Sequence, residues 1–86
     1  MDKLTWWKVH SRQRAQERYR ITLSENVRRE IIKRILRGDY VKKKRQGRSR
    51  FVYLVIYKDR IIKLVLNTRW MAIITFLKLE KPPLPL

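Results

Sequence analysis

The stretch RFVYLVIY (50–57), followed by KD (58–59) and RIIKLVLN (60–67), decides the architecture. Two runs rich in β-branched and aromatic residues, joined by two polar residues suited to a tight turn, describe an antiparallel hairpin. The pattern extends to both sides. Upstream, Tyr40 to Lys44 reads as a strand and Gln46-Gly47-Arg48 as a turn into Arg50; downstream, Thr68-Arg69 turns into a last strand from Met71 to Lys78. Four strands joined by short turns make a meander. The central strand is apolar on both sides, with Val52, Leu54 and Ile56 on one and Phe51, Tyr53, Val55 and Tyr57 on the other. One side should therefore take the helices, while the aromatic residues look toward a partly open surface.

The first half of the chain supplies those helices. Thr22-Leu23-Ser24-Glu25 has the form of a capping box, and Val27, Ile31, Ile32, Ile35 and Leu36 recur at helical spacing until Gly38 stops the run. Ahead of it, Ser11 can cap a shorter helix ending near Tyr19, with Ala15 and Tyr19 inward and Arg12, Arg14 and Arg18 turned elsewhere. The expectation is an α+β fold in which two N-terminal helices pack on a four-stranded antiparallel β-sheet. Residues 1–80 form its single domain, and Lys81-Pro82-Pro83-Leu84-Pro85-Leu86 forms an extended tail.

Composition narrows the function. Lys and Arg total 23 against 7 acidic residues, a formal charge of +16, and a polyanion is the natural partner for such an imbalance. The longest apolar run, Phe51 to Tyr57, falls far short of the roughly 20 residues a spanning helix needs, and Met1 to Trp6 leads into polar sequence where a secretory signal would be apolar. With no cysteine the chain has no disulfide framework, in keeping with a reducing cytoplasm. One histidine and no cysteine argue against a structural zinc site.

His10, Arg14 and Arg18 are spaced by four, which lines an imidazole and two guanidiniums along one side of a helix and its leading turn. Cutting RNA at its own 2′-hydroxyl needs a base for that hydroxyl, an acid for the leaving oxygen and cations for charge building on phosphorus. His10 can serve as base or acid and the arginines as the cations, with no metal ion or other cofactor. Alternatively, His10 caps or packs at the helix start and the arginines are solvated charges. Lys42, Lys43, Lys44, Arg45, Arg48 and Arg50 form the densest basic block, fit either to track phosphates or to guard a sheet edge. Tyr53 and Tyr57, with Trp6, Trp7 and Trp70, can stack on unpaired bases or sit in the core, the core being favoured for Trp6 and Trp7. Thr75 is the one hydroxyl in an apolar strand and must be hydrogen-bonded or face solvent or substrate.

The ordered set Val9-His10-xxx-Arg14-xxx-Arg18-xx-Ile21-Thr22, an amphipathic helix ending at Gly38, Tyr53-Leu-Val-Ile-Tyr57 and Ile73-Ile74-Thr75 resembles a group of small bacterial and phage domains related to RelE-type toxins and the colicin D nuclease domain. The resemblance spans about Val9 to Leu77. It implies the barnase, EndoU, colicin and RelE-like arrangement of N-terminal helices on a four-stranded antiparallel sheet. It also implies a metal-independent ribonuclease with His10 as acid or base, Arg14 or Arg18 together with Arg50 on phosphate, and Thr75 in the site. This chain is more basic than many of those domains, which leaves as the alternative non-catalytic RNA or DNA binding, or a phage-type inhibitor acting through its basic face. The expected partner is RNA, free, ribosome-associated or tRNA. For a toxin, an acidic antitoxin or inhibitor protein is expected as well.

Overall fold

A computed structural model describes residues 2–79. The order of elements is helix α1 (Lys3–Tyr19), helix α2 (Glu25–Leu36) and strands β1 (Tyr40–Arg45), β2 (Arg50–Tyr57), β3 (Arg60–Asn67) and β4 (Ala72–Leu77). The strands pair as an antiparallel meander in the order β1-β2-β3-β4. This is the α+β arrangement expected from the sequence, with β2 and β3 bounded as read; the tail at 81–86 lies outside the described residues.

The first helix begins much earlier than Ser11. Asp2 is the N-cap, its carboxylate accepting the Thr5 N–H at 2.8 Å, and Ser11 is a fully buried residue in mid-helix. There its hydroxyl donates to the Lys8 carbonyl and accepts from Arg28 Nη1, both at 3.2 Å, so the serine serves the seam between the helices rather than a helix start. His10 therefore sits within the helix and not on a leading turn. The cap of α2 is Ser24, which accepts from Val27 N–H at 3.2 Å; Glu25 is the first helical residue and pairs with Lys8 at 3.6 Å.

Trp7, Ser11, Ala15 and Tyr19 form the buried stripe of α1. Adjacent helical residues point about 100° apart, so Trp6 cannot share the core with Trp7 and is half exposed. Ala15 and Tyr19 join Ile31, Ile35, Tyr53, Val55, Tyr57, Ile62, Leu64, Leu66 and Phe76 in the main core, while Trp7 joins Val65 and Ile74 in a smaller cluster. The helices thus cover the aromatic side of β2. The expectation of an open aromatic surface is reversed: Tyr53 and Tyr57 are buried, and Ile56 on the opposite side is exposed. Large rings bury the most apolar area, and the space under the helices is where that area can be removed from water.

Helix α1 runs alongside β4. The Tyr19 hydroxyl donates to the Leu77 carbonyl at 2.5 Å and accepts the Lys63 N–H at 2.9 Å, bridging two strands. Arg60 Nη2 donates to the Tyr19 carbonyl at 2.6 Å and fixes the point where the chain leaves the helix. One residue on, Arg20 holds φ 54° and ψ 38° while its N–H bonds Gln16 O at 3.0 Å. A non-glycine residue pays about 1–2 kcal/mol for that left-handed backbone. Arg20→Gly is therefore expected to raise unfolding stability by about 1 kcal/mol after glycine's greater freedom in the unfolded chain is offset. Chemical denaturation of both proteins measures it, with Arg20→Ala as the control that gains nothing.

Gly38, at φ 85°, closes α2 in the same left-handed region at no steric cost, with Asp39 N–H bonding back to Arg34 O at 2.8 Å. Lys58 and Asp59 both take positive φ, 48° and 61°, as a two-residue hairpin turn requires. A bulge at Val41 and another in β4 between the partners of Val65 and Leu66 adjust the register at the two outer strands. Among the described residues, no helix is long and apolar enough to cross a membrane.

Candidate functional site

Trp6, His10, Arg14 and Arg18 recur every four residues and form a second stripe on α1, beside the buried one. The Trp6 indole stacks on the His10 imidazole with ring centroids 4.7 Å apart and planes within 9°. His10 is half-buried. Burial first, then the charges of Arg14 and Arg18, push its pKa below the ordinary histidine value, while Glu17 pulls weakly the other way. The imidazole is consequently neutral at pH 7 and able to accept a proton.

The cations around it are not idle. Arg14 Nη1 donates to Glu17 Oε2 at 2.8 Å, and Gln13 also donates to that carboxylate, at 3.1 Å. The Arg14 hydrogen bond is the largest influence holding the Glu17 carboxyl below its usual range. Arg18 Nη1 donates to the Phe76 carbonyl at 3.1 Å, and the Thr75 hydroxyl reaches the same oxygen at 3.4 Å. Arg18 and Thr75, 57 positions apart in the chain, thus meet at one atom because α1 lies along β4. His10 is near enough to both arginines for their charges to act on it. Each guanidinium keeps further N–H groups beyond the single bond described.

Arg50 does not join this group. It pairs with Asn67 at the start of β2, two strands from β4, a lateral separation of about 10 Å. Its side of the sheet is nevertheless the one that carries Val52 and, through Val65, Thr75. Lys42 and Lys44 lie on this side as well, opposite Leu54 and Val52, and both are exposed. Lys43 and Arg45 point to the other side. Lys43 Nζ sits 4.9 Å from the Phe51 ring centroid and 5.9 Å from that of Tyr53, covering the margin of the core, and Arg45 Nε donates to the Gly47 carbonyl at 3.0 Å, bracing the turn. Arg48 is exposed in that turn. Tyr53 is 5% exposed and has no ring face to offer a base.

The basic block therefore divides. Lys42, Lys44 and Arg50 line one exposed strip of the sheet, with half-buried Lys63 beyond them on β3, while Lys43 and Arg45 serve the fold. Two members of the helix site escaped the sequence reading. Trp6 lies four residues before His10 and Glu17 three after Arg14, both at contact spacing on a helix, so the same rule that picked out the stripe identifies them once the helix is known to begin at Lys3.

The His10 environment makes a direct prediction. The chain has a single histidine, so its ring resonances are unambiguous in a proton NMR titration. Arg14→Ala removes one positive neighbour and frees Glu17, and both changes raise the His10 pKa toward its ordinary value. Because the folded protein holds fewer protons at His10 than the unfolded chain does, acidification through the ordinary histidine range erodes stability in the parent protein, and less so in the variant. An unshifted midpoint in Arg14→Ala contradicts the electrostatic origin.

No family model, no curated protein and no solved structure matches this chain.

Proposed function

We propose that this protein binds RNA and cleaves it without a metal ion, by attack of the 2′-hydroxyl on the adjacent phosphate. The observation that carries this reading is the single imidazole, kept neutral by burial and by two guanidiniums on its own helix stripe. In the step proposed, His10 takes the 2′-hydroxyl proton as O2′ bonds to phosphorus. Arg14 and Arg18 stabilise the charge gathering on the phosphoryl oxygens, and the bond to the 5′-oxygen breaks. That oxygen takes a proton from water and His10 returns its own to solvent, leaving a 2′,3′-cyclic phosphate and a 5′-hydroxyl. Lys42, Lys44 and Arg50 on the exposed side of the sheet, with Arg48 in the turn, hold the strand by its phosphates. The likeness to RelE-type and colicin D-type domains supports the same chemistry, and the charge of +16 suits RNA on a ribosome or a tRNA as well as free RNA. A cell carrying such an activity silences it best with an acidic protein that covers the arginines.

A binding role without cleavage is the second reading. It is favoured by one specific feature: Arg14 and Arg18 already donate to Glu17 and to the Phe76 carbonyl. Incubation of the purified protein with RNA in the presence of a chelator separates the two. Cleavage that persists in chelator and is lost in His10→Ala supports the enzyme, and tight binding with intact RNA supports the second reading.

A further inference from the structure

A groove of about 580 Å³ opens between the start of α1, the α2 residue Arg28 and the turn from β3 into β4. Its volume falls in the range of about 300–1,000 Å³ typical of small-ligand sites. Lys3, Trp7, Lys8, Arg28, Trp70 and Met71 contribute to its wall. We infer that this groove is a nucleotide subsite, in which Arg28 and Lys3 take the phosphate and Trp70 takes the base; the assignment of a nucleotide rests on the RNA-binding reading above.

Arg28 is the strongest reason. It is 7% exposed, yet its bonds go to neutral acceptors only, Ser11 Oγ at 3.2 Å and the Lys8 carbonyl at 3.3 Å, and its Nε has no partner. Among the described residues no carboxylate lies within ion-pair distance of it; Glu25, on the same helix, is near enough for its charge to favour the guanidinium but pairs with Lys8. A buried cation is ordinarily matched by a buried anion, and hydrocarbon of the same size would serve stability better. An anion entering the groove supplies the direct ion pair that Glu25 does not make.

The turn supplies the rest. Trp70 is 55% exposed on a segment that is firmly held: Asn67 Oδ1 accepts the Trp70 N–H at 3.0 Å, and Thr68 N–H donates to the Ser49 carbonyl at 2.8 Å. The Arg69 guanidinium lies 6.0 Å from the Trp70 ring centroid, adding positive charge at the indole. An exposed indole on an anchored backbone, beside a cluster of cations, matches a base joined to a phosphate better than it matches a phosphate alone. Asp2 also lines the groove and the Thr5 N–H holds its carboxylate in the charged form, but Lys3, Lys8 and Arg28 on the same wall outnumber it. Trp7 precedes His10 by about 5 Å along the helix axis, so the groove wall and the imidazole stand about one turn apart on α1.

The test uses the full chain with adenosine monophosphate, adenosine, inorganic phosphate and N-acetylglutamate, followed by amide NMR and tryptophan fluorescence. Adenosine monophosphate should move the amides of Lys3, Met71 and Ala72 and the Trp70 indole. Adenosine and inorganic phosphate should each bind at least about 10-fold more weakly. Trp70→Ala, a surface change, should weaken adenosine monophosphate about 5- to 150-fold, the range for losing one base–aromatic stack, and leave inorganic phosphate unaffected. Arg28→Met should abolish both while leaving the melting temperature unchanged or raised. Equal binding of nucleotide and nucleoside, equal binding of N-acetylglutamate, shifts confined to β1 and β2, or an unaltered affinity in Trp70→Ala would each overturn the inference. Failure of long RNA to bind, with the nucleotide still seated in the groove, removes the RNA reading and leaves this subsite standing; long RNA bound with the groove empty does the reverse.

Discussion

Replacing His10 with alanine is expected to slow RNA cleavage by about 10²-fold or more, the scale for losing a positioned proton-transfer group, and to leave RNA affinity nearly unchanged. A neutral imidazole adds little to binding that phosphate contacts dominate, and its removal from a half-buried position leaves the buried stripe of Trp7, Ser11, Ala15 and Tyr19 intact. Arg14→Ala should lose a similar factor in rate and some affinity besides, because a guanidinium acts on both the bound and the reacting phosphate. The double variant should be little slower than the poorer single one, since groups that act together on one phosphate are strongly non-additive. Single-turnover rates and equilibrium binding on the same RNA measure the two quantities separately. If the protein arrests growth when expressed alone, His10→Ala should relieve the arrest; equal arrest by both proteins points to sequestration of RNA instead.

The second large effect concerns binding. Lys42→Glu together with Lys44→Glu reverses two exposed charges on one strip of the sheet and should weaken RNA binding about 10²-fold at moderate salt, with little dependence on sequence. On a single strand, the slope of log affinity against log salt should fall by about 0.7 for each phosphate that the variant no longer neutralises. Lys43→Glu is a different experiment. That ammonium lies over the rings of Phe51 and Tyr53, so its reversal damages the fold as well, and the stability of each variant needs to be measured beside its affinity. Wild-type affinity for RNA in the double variant would place the phosphate-tracking surface elsewhere.

Local chemistry carries most of the fold. Strand alternation and two-residue turns depend on neighbours, so Arg50 to Tyr57 and Arg60 to Asn67 were legible as strands and Lys58-Asp59 as the turn between them. The start of α1 was not, because a serine occupies its buried stripe: Ser11 looks like a cap until Arg28, 17 residues away, is known to need its oxygen. The side of the sheet taken by the helices was likewise hidden, since both sides of β2 are apolar and only the size of the rings under the helices separates them. Of the candidate site, the His10, Arg14 and Arg18 spacing was visible in the sequence. The meeting of Arg18 with Thr75 at the Phe76 carbonyl was not, because it depends on α1 lying along a strand at the far end of the chain. Nor could alternation along a strand show that Lys43 serves the core while Lys42 and Lys44 remain free.

The most direct measurement is the chemistry of the ends. Wild-type protein is incubated with free RNA, tRNA and ribosome-bound RNA in excess chelator across about pH 5 to 9, and the new termini are identified by mass spectrometry. The expected result is cleavage at neutral pH, with 2′,3′-cyclic phosphate and 5′-hydroxyl ends and with an acid limb below the ordinary histidine pKa, since His10 is held neutral by burial and its arginines. RNA that is bound tightly yet uncut on all three substrates, or ends of any other kind, contradicts the proposed reaction.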